Sequence, residues 1–181
     1  MNVKPPTLCT IAVTVIGPDR TGIVRELADA ALAHEANWME SHMANLAGQF
    51  AGIVELELPT RNLPALEQAF ERLQQQQLSI TTVRASRLQD TAQRDVTLAL
   101  TGIDHPGIVR DITAELAIIG VSVQELETTS GSASMSGEQI FRATARLRAP
   151  LRVSMEAIDA QLQRVASDLM VDLVLDEAES P

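Results

Sequence analysis

The chain has 181 residues, with 14 Lys and Arg against 24 Asp and Glu, so its formal net charge is −10. This length allows one medium domain or two small ones. The hydrophobic fraction of 45% is too high for a disordered chain. The acid excess and the aromatic fraction of 2% disfavour nucleic-acid binding, which needs clustered basic residues or exposed aromatic rings.

The predicted elements of the first half follow the order strand, helix, strand, strand, helix, strand. Strands are indicated by alternation of apolar and polar residues, and helices by apolar residues three or four apart. The first helix has Ile23, Leu27 and Ala31 on one face. The predicted ranges are a strand at 9–16, a helix from 23, strands at 37–46 and 50–58, a helix at 63–77 and a strand at 79–87.

The second half repeats this order after a predicted linker near 88–94. Ser154 is the expected N-cap of its second helix, and a small, polar insert at 130–137 joins its central hairpin. The last strand is almost continuously apolar, which predicts a strand covered on both sides. The predicted ranges are a strand at 96–101, a helix from 108, strands at 121–130 and 138–148, a helix at 153–167 and a strand at 169–175.

A nine-residue motif lies at the first strand-to-helix turn of both halves. Residues 17–25 read Gly-Pro-Asp-Arg-Thr-Gly-Ile-Val-Arg, residues 102–110 read Gly-Ile-Asp-His-Pro-Gly-Ile-Val-Arg, and six of the nine positions are identical. The repeat predicts two copies of one unit. The fold class is therefore α+β, with two tandem ferredoxin-like βαββαβ domains, each a four-stranded antiparallel sheet with two helices on one face. The predicted domains span residues 8–88 and 94–176.

The motif residues have a structural and a functional interpretation. Asp19 and Asp104 are placed to cap the first turn of a helix, and Gly22 and Gly107 to let the helix start approach a neighbour. A tight turn with an ordinary cap would explain this pattern. The same helix starts would also accept a small anion, such as the carboxylate of an amino acid, with an acidic group nearby for its ammonium.

Two βαββαβ units that each open with this motif resemble tandem ACT domains, which are amino-acid-sensing regulatory modules. The resemblance covers roughly residues 8–176, and the form of the first motif is most similar to the glycine cleavage system transcriptional repressor family. It implies ligand binding at interfaces between ACT units, through the strand-to-helix loop and the start of the second strand. The implied ligand-binding residues are Asp19, Gly22, Ile23 and Asn37 in the first copy and Asp104, Gly107, Ile108 and Ser122 in the second. Asn is frequent at the start of the second strand in amino-acid-binding ACT domains, so Asn37 makes the first copy the better sensing candidate.

The resemblance implies a non-enzymatic, amino-acid-responsive transcriptional regulator that acts through protein contact. Its implied partners are a small amino acid such as glycine, a DNA-binding transcriptional activator and further copies of the chain, without a cofactor, metal, nucleic acid or membrane. Two alternatives remain open: an ACT regulator of a metabolic enzyme, and an enzyme with an unrecognised site. The single Cys9 excludes an internal disulfide and favours the cytoplasm.

Other chemistry-bearing residues do not form a recognisable site in the sequence. The three histidines do not have the spacing of a metal-ligand set, and no phosphate-binding loop or nucleophile elbow is present. Arg142, Arg146 and Arg148 alternate on a predicted strand and form the only basic cluster. They are expected either to contact a partner protein or to pair across the sheet with Glu125 and Glu127.

Overall fold

Each half of the chain folds as βαββαβ. The computed structural model describes residues 6–75, 77–85, 92–132 and 137–177. The chain divides into two units, residues 1–88 (unit 1) and 89–181 (unit 2). The elements of unit 1 are β1 (Leu8–Pro18), α1 (Ile23–Ala33), β2 (Asn37–Leu46), β3 (Gln49–Pro59), α2 (Leu63–Gln74) and β4 (Ser79–Arg84). Those of unit 2 are β5 (Gln93–Ile103), α3 (Ile108–Ile118), β6 (Ser122–Ser132), β7 (Gln139–Pro150), α4 (Met155–Leu169) and β8 (Val171–Glu177).

Each unit contains one four-stranded antiparallel sheet with the same topology. The strand order is β2-β3-β1-β4 in unit 1 and β6-β7-β5-β8 in unit 2. The register shifts after Trp38 in β2 and after Val123 in β6, so both edge strands are irregular near their first residues. The predicted fold class, a pair of ferredoxin-like α+β units, is confirmed.

The two helices of each unit pack on one face of its sheet and bury an apolar core. In β1 the residues that face this core are Ile11, Val13 and Val15, and the residues between them face the other side. The predicted helix face of Ile23, Leu27 and Ala31 is buried as expected. All buried side chains among the described residues are apolar. The opposite face of each sheet, which we call the outer face, carries no helix of its own unit.

The end of the chain corrects two expectations. Ser154 caps α4 as predicted, because its hydroxyl accepts a hydrogen bond from the Ala157 N–H at 3.2 Å. The helix then continues to Leu169, beyond the predicted end at 167, and β8 begins at Val171. The expectation that the last strand is covered on both sides is wrong. β8 is an edge strand, and Val174 on its outer face is 58% exposed.

The connecting segments lie partly outside the described residues. The sequence predicts a linker near 88–94. Residues 88–91 of it lie outside the described residues, and Gln93 and Arg94 belong to β5. Residues 133–136 of the predicted insert also lie outside, and the residues before them extend β6 to Ser132. The domain boundaries at 8–88 and 94–176 remain predictions. Over the described ranges, no helix combines the length and the apolar composition that a membrane crossing requires.

A truncation in the core of unit 1 should destabilise the protein more than a truncation at its surface. Leu56 in β3 is 1% exposed, whereas Leu46 at the end of β2 is 80% exposed. We expect Leu56→Ala to lower the free energy of unfolding by about 2–5 kcal/mol, because it leaves a cavity. The matched change Leu46→Ala should cost less than about 0.5 kcal/mol in urea denaturation. Equal costs would contradict this description of the core.

Candidate functional site

The repeated motif forms the loop between the first strand and the first helix of each unit. At the N-cap position stand Gly22, with φ 101°, and Gly107, with φ 110°. This left-handed conformation favours glycine, because a Cβ there collides with the following carbonyl oxygen. A Cβ on Gly22 would meet no atom closer than 3.9 Å. The backbone conformation therefore explains why residue 22 is a glycine. The predicted close approach of the helix start to a neighbour does not explain it.

The close approach occurs instead at the other repeated glycine. A Cβ on Gly17 would lie 2.7 Å from the carbonyl oxygen of Gln77, and one on Gly102 would lie 2.8 Å from that of Met170. In each unit the first strand can therefore pass directly beside the start of the last strand only if this position is glycine. The two glycines of each motif thus have separate structural roles.

The helix starts in these loops are not capped by a side chain. Among the described residues, no side chain accepts a hydrogen bond from the N-terminal N–H groups of α1 or α3. The first backbone bonds are those of Glu26 N–H to Gly22 O and Asp111 N–H to Gly107 O, both at 2.9 Å. The N–H groups at positions 23–25 and 108–110 therefore remain available to an acceptor. The prediction that Asp19 and Asp104 cap these helices is wrong.

The two aspartates have other contacts. The backbone N–H of Asp19 donates to Gly48 O at 2.9 Å, and that of Asp104 donates to Gln139 O at 2.8 Å, so both tie the loop to the sheet. The carboxylate of Asp104 accepts a hydrogen bond of 2.5 Å from the Ser130 hydroxyl. Asp19 is exposed at the loop surface. The carboxylates thus lie beside the helix starts without satisfying them.

An ion pair holds the loop of unit 1. Both terminal nitrogens of Arg20 donate to the carboxylate of Glu26, at 2.7 and 2.6 Å. This bidentate hydrogen bond lowers the pKa of Glu26, and the two side chains are about one-third exposed. This pair is not predictable from the sequence, because a spacing of six residues between a loop and a helix matches no local pairing rule.

A histidine holds the loop of unit 2 at the position that corresponds to Arg20. His105 places Nε2 3.0 Å from the carbonyl oxygen of Leu169, at the end of α4, and Nδ1 3.2 Å from that of Pro106. Only the protonated ring can donate to both oxygens. The hydrogen bond to Leu169 and then that to Pro106 raise the pKa of His105, and the charges of Asp104 and Asp111 contribute in the same direction.

The acidic residue of the first helical turn is also paired in unit 2. Asp111 accepts a hydrogen bond of 2.7 Å from Arg110 Nε, and this bond lowers the pKa of its carboxyl group. The corresponding residue in unit 1 is Glu26, which the loop residue Arg20 binds. Both units thus place an ion-paired carboxylate near the uncapped helix start. The arginine that pairs with it lies in the loop in unit 1 and in the helix itself in unit 2.

Of the predicted site residues, the two isoleucines turn inward. Ile23 is 1% exposed and Ile108 is 2% exposed, and both side chains belong to the cores. Their side chains therefore cannot contact a ligand. The structure brings together Asp19, Gly22 and Ile23 in one loop and Asp104, Gly107 and Ile108 in the other.

Asn37 and Ser122 lie at the opposite end of their sheets. Asn37 pairs with Glu57, which pairs with Thr10, whereas the motif loop follows Pro18 at the far end of β1. Eight residues of strand correspond to roughly 27 Å. Ser122 has the same relation to the second loop, because it pairs with Arg148 and thereby with Asp95. No single unit brings its motif loop and this strand position into one site.

Within the described residues, neither a metal-ligand cluster nor the arginines of β7 contribute to these loops. Among the described residues, no three His, Cys, Asp or Glu side chains are grouped to hold a metal ion. The arginines of β7 share the outer face of unit 2, where Arg146 contacts Glu125 at 2.5 Å, as expected. Arg148 contacts Asp95 at 3.3 Å, and Glu127 stands opposite Thr144, so it does not pair with an arginine directly across the strands.

The fold and the loop geometry define a regulatory class of domain. The family model of the ACT domain matches residues 10–90. Unit 1 belongs to the ACT-domain family, and unit 2 repeats its strand order and its glycine turn.

Two solved structures have this fold over nearly the entire chain. One is the crystal structure of an unknown protein from Galdieria sulphuraria, which is 33% identical and aligns over 96% of this chain and 100% of its own, with a TM-score of 0.82. The other is a crystal structure described as a putative glycine cleavage system transcriptional repressor, which is 18% identical over 96% of this chain and 99% of its own, with a TM-score of 0.72. At 18% identity, the similarity to the second structure shows only a shared fold. No curated protein sequence matches this chain.

Replacing the left-handed glycine of unit 2 should destabilise the fold. We expect Gly107→Ala to lower the free energy of unfolding by about 1–2 kcal/mol, because alanine at φ 110° is strained. Gly131→Ala is the matched control in the same unit, since no atom lies within 4 Å of its added Cβ. In urea denaturation the control should change stability by less than about 0.5 kcal/mol. A neutral Gly107→Ala would contradict the assigned conformation.

The contribution of His105 to stability should depend on pH. Because folding raises its pKa, this contribution is fully present below the unfolded value of about 6.5 and is lost as pH rises through the folded value. His105→Ala should therefore lower the urea midpoint at pH 5.5 and change it less at pH 8.5. Arg20→Ala is the matched control, because the raised pKa of Arg20 and the lowered pKa of Glu26 keep both groups charged across this range. The same pH dependence in both variants would contradict the assignment.

Proposed function

We propose that this protein is a non-enzymatic regulator of transcription that binds a small amino acid and acts through contact with another protein. The effector is a small amino acid such as glycine, and the partner is a DNA-binding transcriptional activator. The observation that carries the proposal is the pair of uncapped helix starts at Gly22 and Gly107.

Each helix start suits the carboxylate of an amino acid. The available N–H groups of the first turn point out of the helix end, where the helix dipole favours a negative charge. The acid of the first turn does not cancel this preference, because Glu26 is neutralised by Arg20 and Asp111 by Arg110. The exposed Asp19 is the nearby anion that would receive the ammonium group of the ligand.

The second strand would contribute to the same site only from another ACT unit. Asn37 lies roughly 27 Å along the sheet from the motif loop of its own unit. We therefore propose that a second copy of the chain supplies this residue, so that a homo-oligomer forms the ligand site. The exposed Asn37 can accept a hydrogen bond from an ammonium group through its amide oxygen. Ser122 can do so through its hydroxyl, although Gln124 already donates to that oxygen at 2.9 Å.

Action through a protein partner agrees with the charge of the chain. A net charge of −10 repels the DNA backbone, and the basic residues of β7 are engaged in part by acids of their own unit. The choice of glycine follows the printed description of the 18% identical structure, a putative glycine cleavage system transcriptional repressor. An electrophoretic shift of DNA by the pure protein would contradict this part of the proposal.

Calorimetric titration with the twenty amino acids tests the effector. We expect glycine or a close relative to bind, and Asp19→Ala to weaken the binding about tenfold, because the ammonium group loses a charged hydrogen-bond acceptor. Asp29→Ala is the matched control, since Asp29 is an exposed acid on α1, away from the loop that contains Asp19. If no amino acid gives a heat of binding, the protein is not an amino-acid sensor. If both variants weaken binding equally, Asp19 does not contribute to the site as proposed.

A further inference from the structure

The outer face of unit 1 carries an acidic groove that none of the predicted site residues lines. The groove has a volume of about 480 Å³ and lies over β1, β2 and β3. Glu40, Glu55 and Glu57 line it, together with apolar side chains such as Met39 and Ile53. Met39 is 52% exposed and Ile53 is 46% exposed. The groove thus combines negative charge with exposed apolar surface, which is typical of an interaction surface.

Among the described residues, no lysine or arginine pairs with the carboxylates of this groove. Glu40 stands directly opposite Glu55 across β2 and β3, and like charges in this arrangement destabilise a sheet. Glu40 contacts His42 Nε2 at 3.2 Å. Neither Glu55 nor Glu57 forms an ion pair within the described residues. Over the described part of unit 1, this groove therefore concentrates negative charge without an arginine that pairs with it.

Unit 2 shows how the same sheet positions are neutralised. The buried Phe50 and Phe141 occupy equivalent positions opposite Gly17 and Gly102, so the two sheets can be aligned residue by residue. In this alignment Glu40 corresponds to Glu125, and the equivalents of Glu55 and Glu57 are Arg146 and Arg148. Arg146 binds Glu125, and Arg148 binds Asp95. One framework thus carries two arginines in unit 2 and two glutamates in unit 1.

We propose that the outer face of unit 1 docks a basic segment of a partner protein, with arginines at alternate positions of an extended chain. Glu55 and Glu57 are two residues apart on β3, and alternate residues of any strand have the same spacing of roughly 7 Å. Two such arginines would pair with Glu55 and Glu57, which form no ion pair within the described residues. The residues between or beside them would cover Met39 and Ile53. The net charge of −10 would attract a basic partner.

This inference rests on the proposed function only in that the partner is a protein. It assigns that partner a surface on the unit 1 sheet, and it requires no amino acid in the motif loop. The two surfaces adjoin at Asn37, which stands opposite Glu57 and donates to Met39 Sδ at 3.0 Å. Asp19 lies at the far end of β1, so Asp19→Ala changes the ligand site alone and the two proposals can fail separately. Glycine binding without peptide binding would remove the docking surface, whereas peptide binding without glycine binding would remove the effector site.

The test uses the full chain and a fluorescein-labelled decapeptide of alternating arginine and alanine. A peptide with citrulline in place of arginine is the neutral control. We expect anisotropy to show binding of the arginine peptide, weakened at least about tenfold by Glu55→Arg with Glu57→Arg. The matched variant Glu67→Arg with Glu71→Arg changes the net charge equally on the exposed side of α2. It should bind within about twofold of the unaltered protein.

Three results would overturn the proposal. The arginine peptide would bind no better than the citrulline peptide, or both double variants would weaken binding equally, or agmatine alone would bind as tightly as the peptide. The last result would indicate a small-molecule site. Glu55→Gln with Glu57→Gln provides a second variant if the arginine substitutions disturb folding, and it should also lose affinity relative to Glu67→Gln with Glu71→Gln.

Discussion

The left-handed glycine between the first strand and the first helix is the constraint on which both units depend. Gly22 and Gly107 turn the chain from the sheet onto the helix layer at a φ that other residues rarely adopt. The turn brings the aspartate N–H back to the neighbouring hairpin and leaves the first N–H groups of the helix without a side-chain acceptor. The same local conformation therefore shapes the fold and creates the candidate ligand site.

The two units repeat this turn but stabilise it differently. In unit 1 a bidentate pair between Arg20 and Glu26 holds the loop, whereas in unit 2 His105 binds two backbone carbonyls, one of them at the end of α4. Their outer sheet faces differ more strongly, because arginines of β7 stand where β3 carries glutamates. A duplicated framework thus presents two different surfaces, which fits a protein whose units have separate tasks.

The fold could be predicted from the sequence because its signals are local and occur twice. The alternation in β1, the helix face of Ile23, Leu27 and Ala31, and the Ser154 cap are confirmed. The edge position of β8 was not predictable from its apolar composition, because strand order is set by tertiary pairing. The site was predicted less well. The motif was located correctly, but a cap by Asp19 could not be distinguished in sequence from a turn at Gly22, and the partners of Arg20 and His105 are not at spacings that local rules recognise.

We propose above that the carboxylate of an amino acid binds at the uncapped helix starts. Amide chemical shifts followed by NMR during a glycine titration test it most directly, because each N–H reports its own hydrogen bond. We expect saturable shifts at the amides of residues 23–25, and none at Ala157, whose N–H already donates to the Ser154 hydroxyl. Saturable shifts elsewhere, with unchanged amides at residues 23–25 and 108–110, would contradict it.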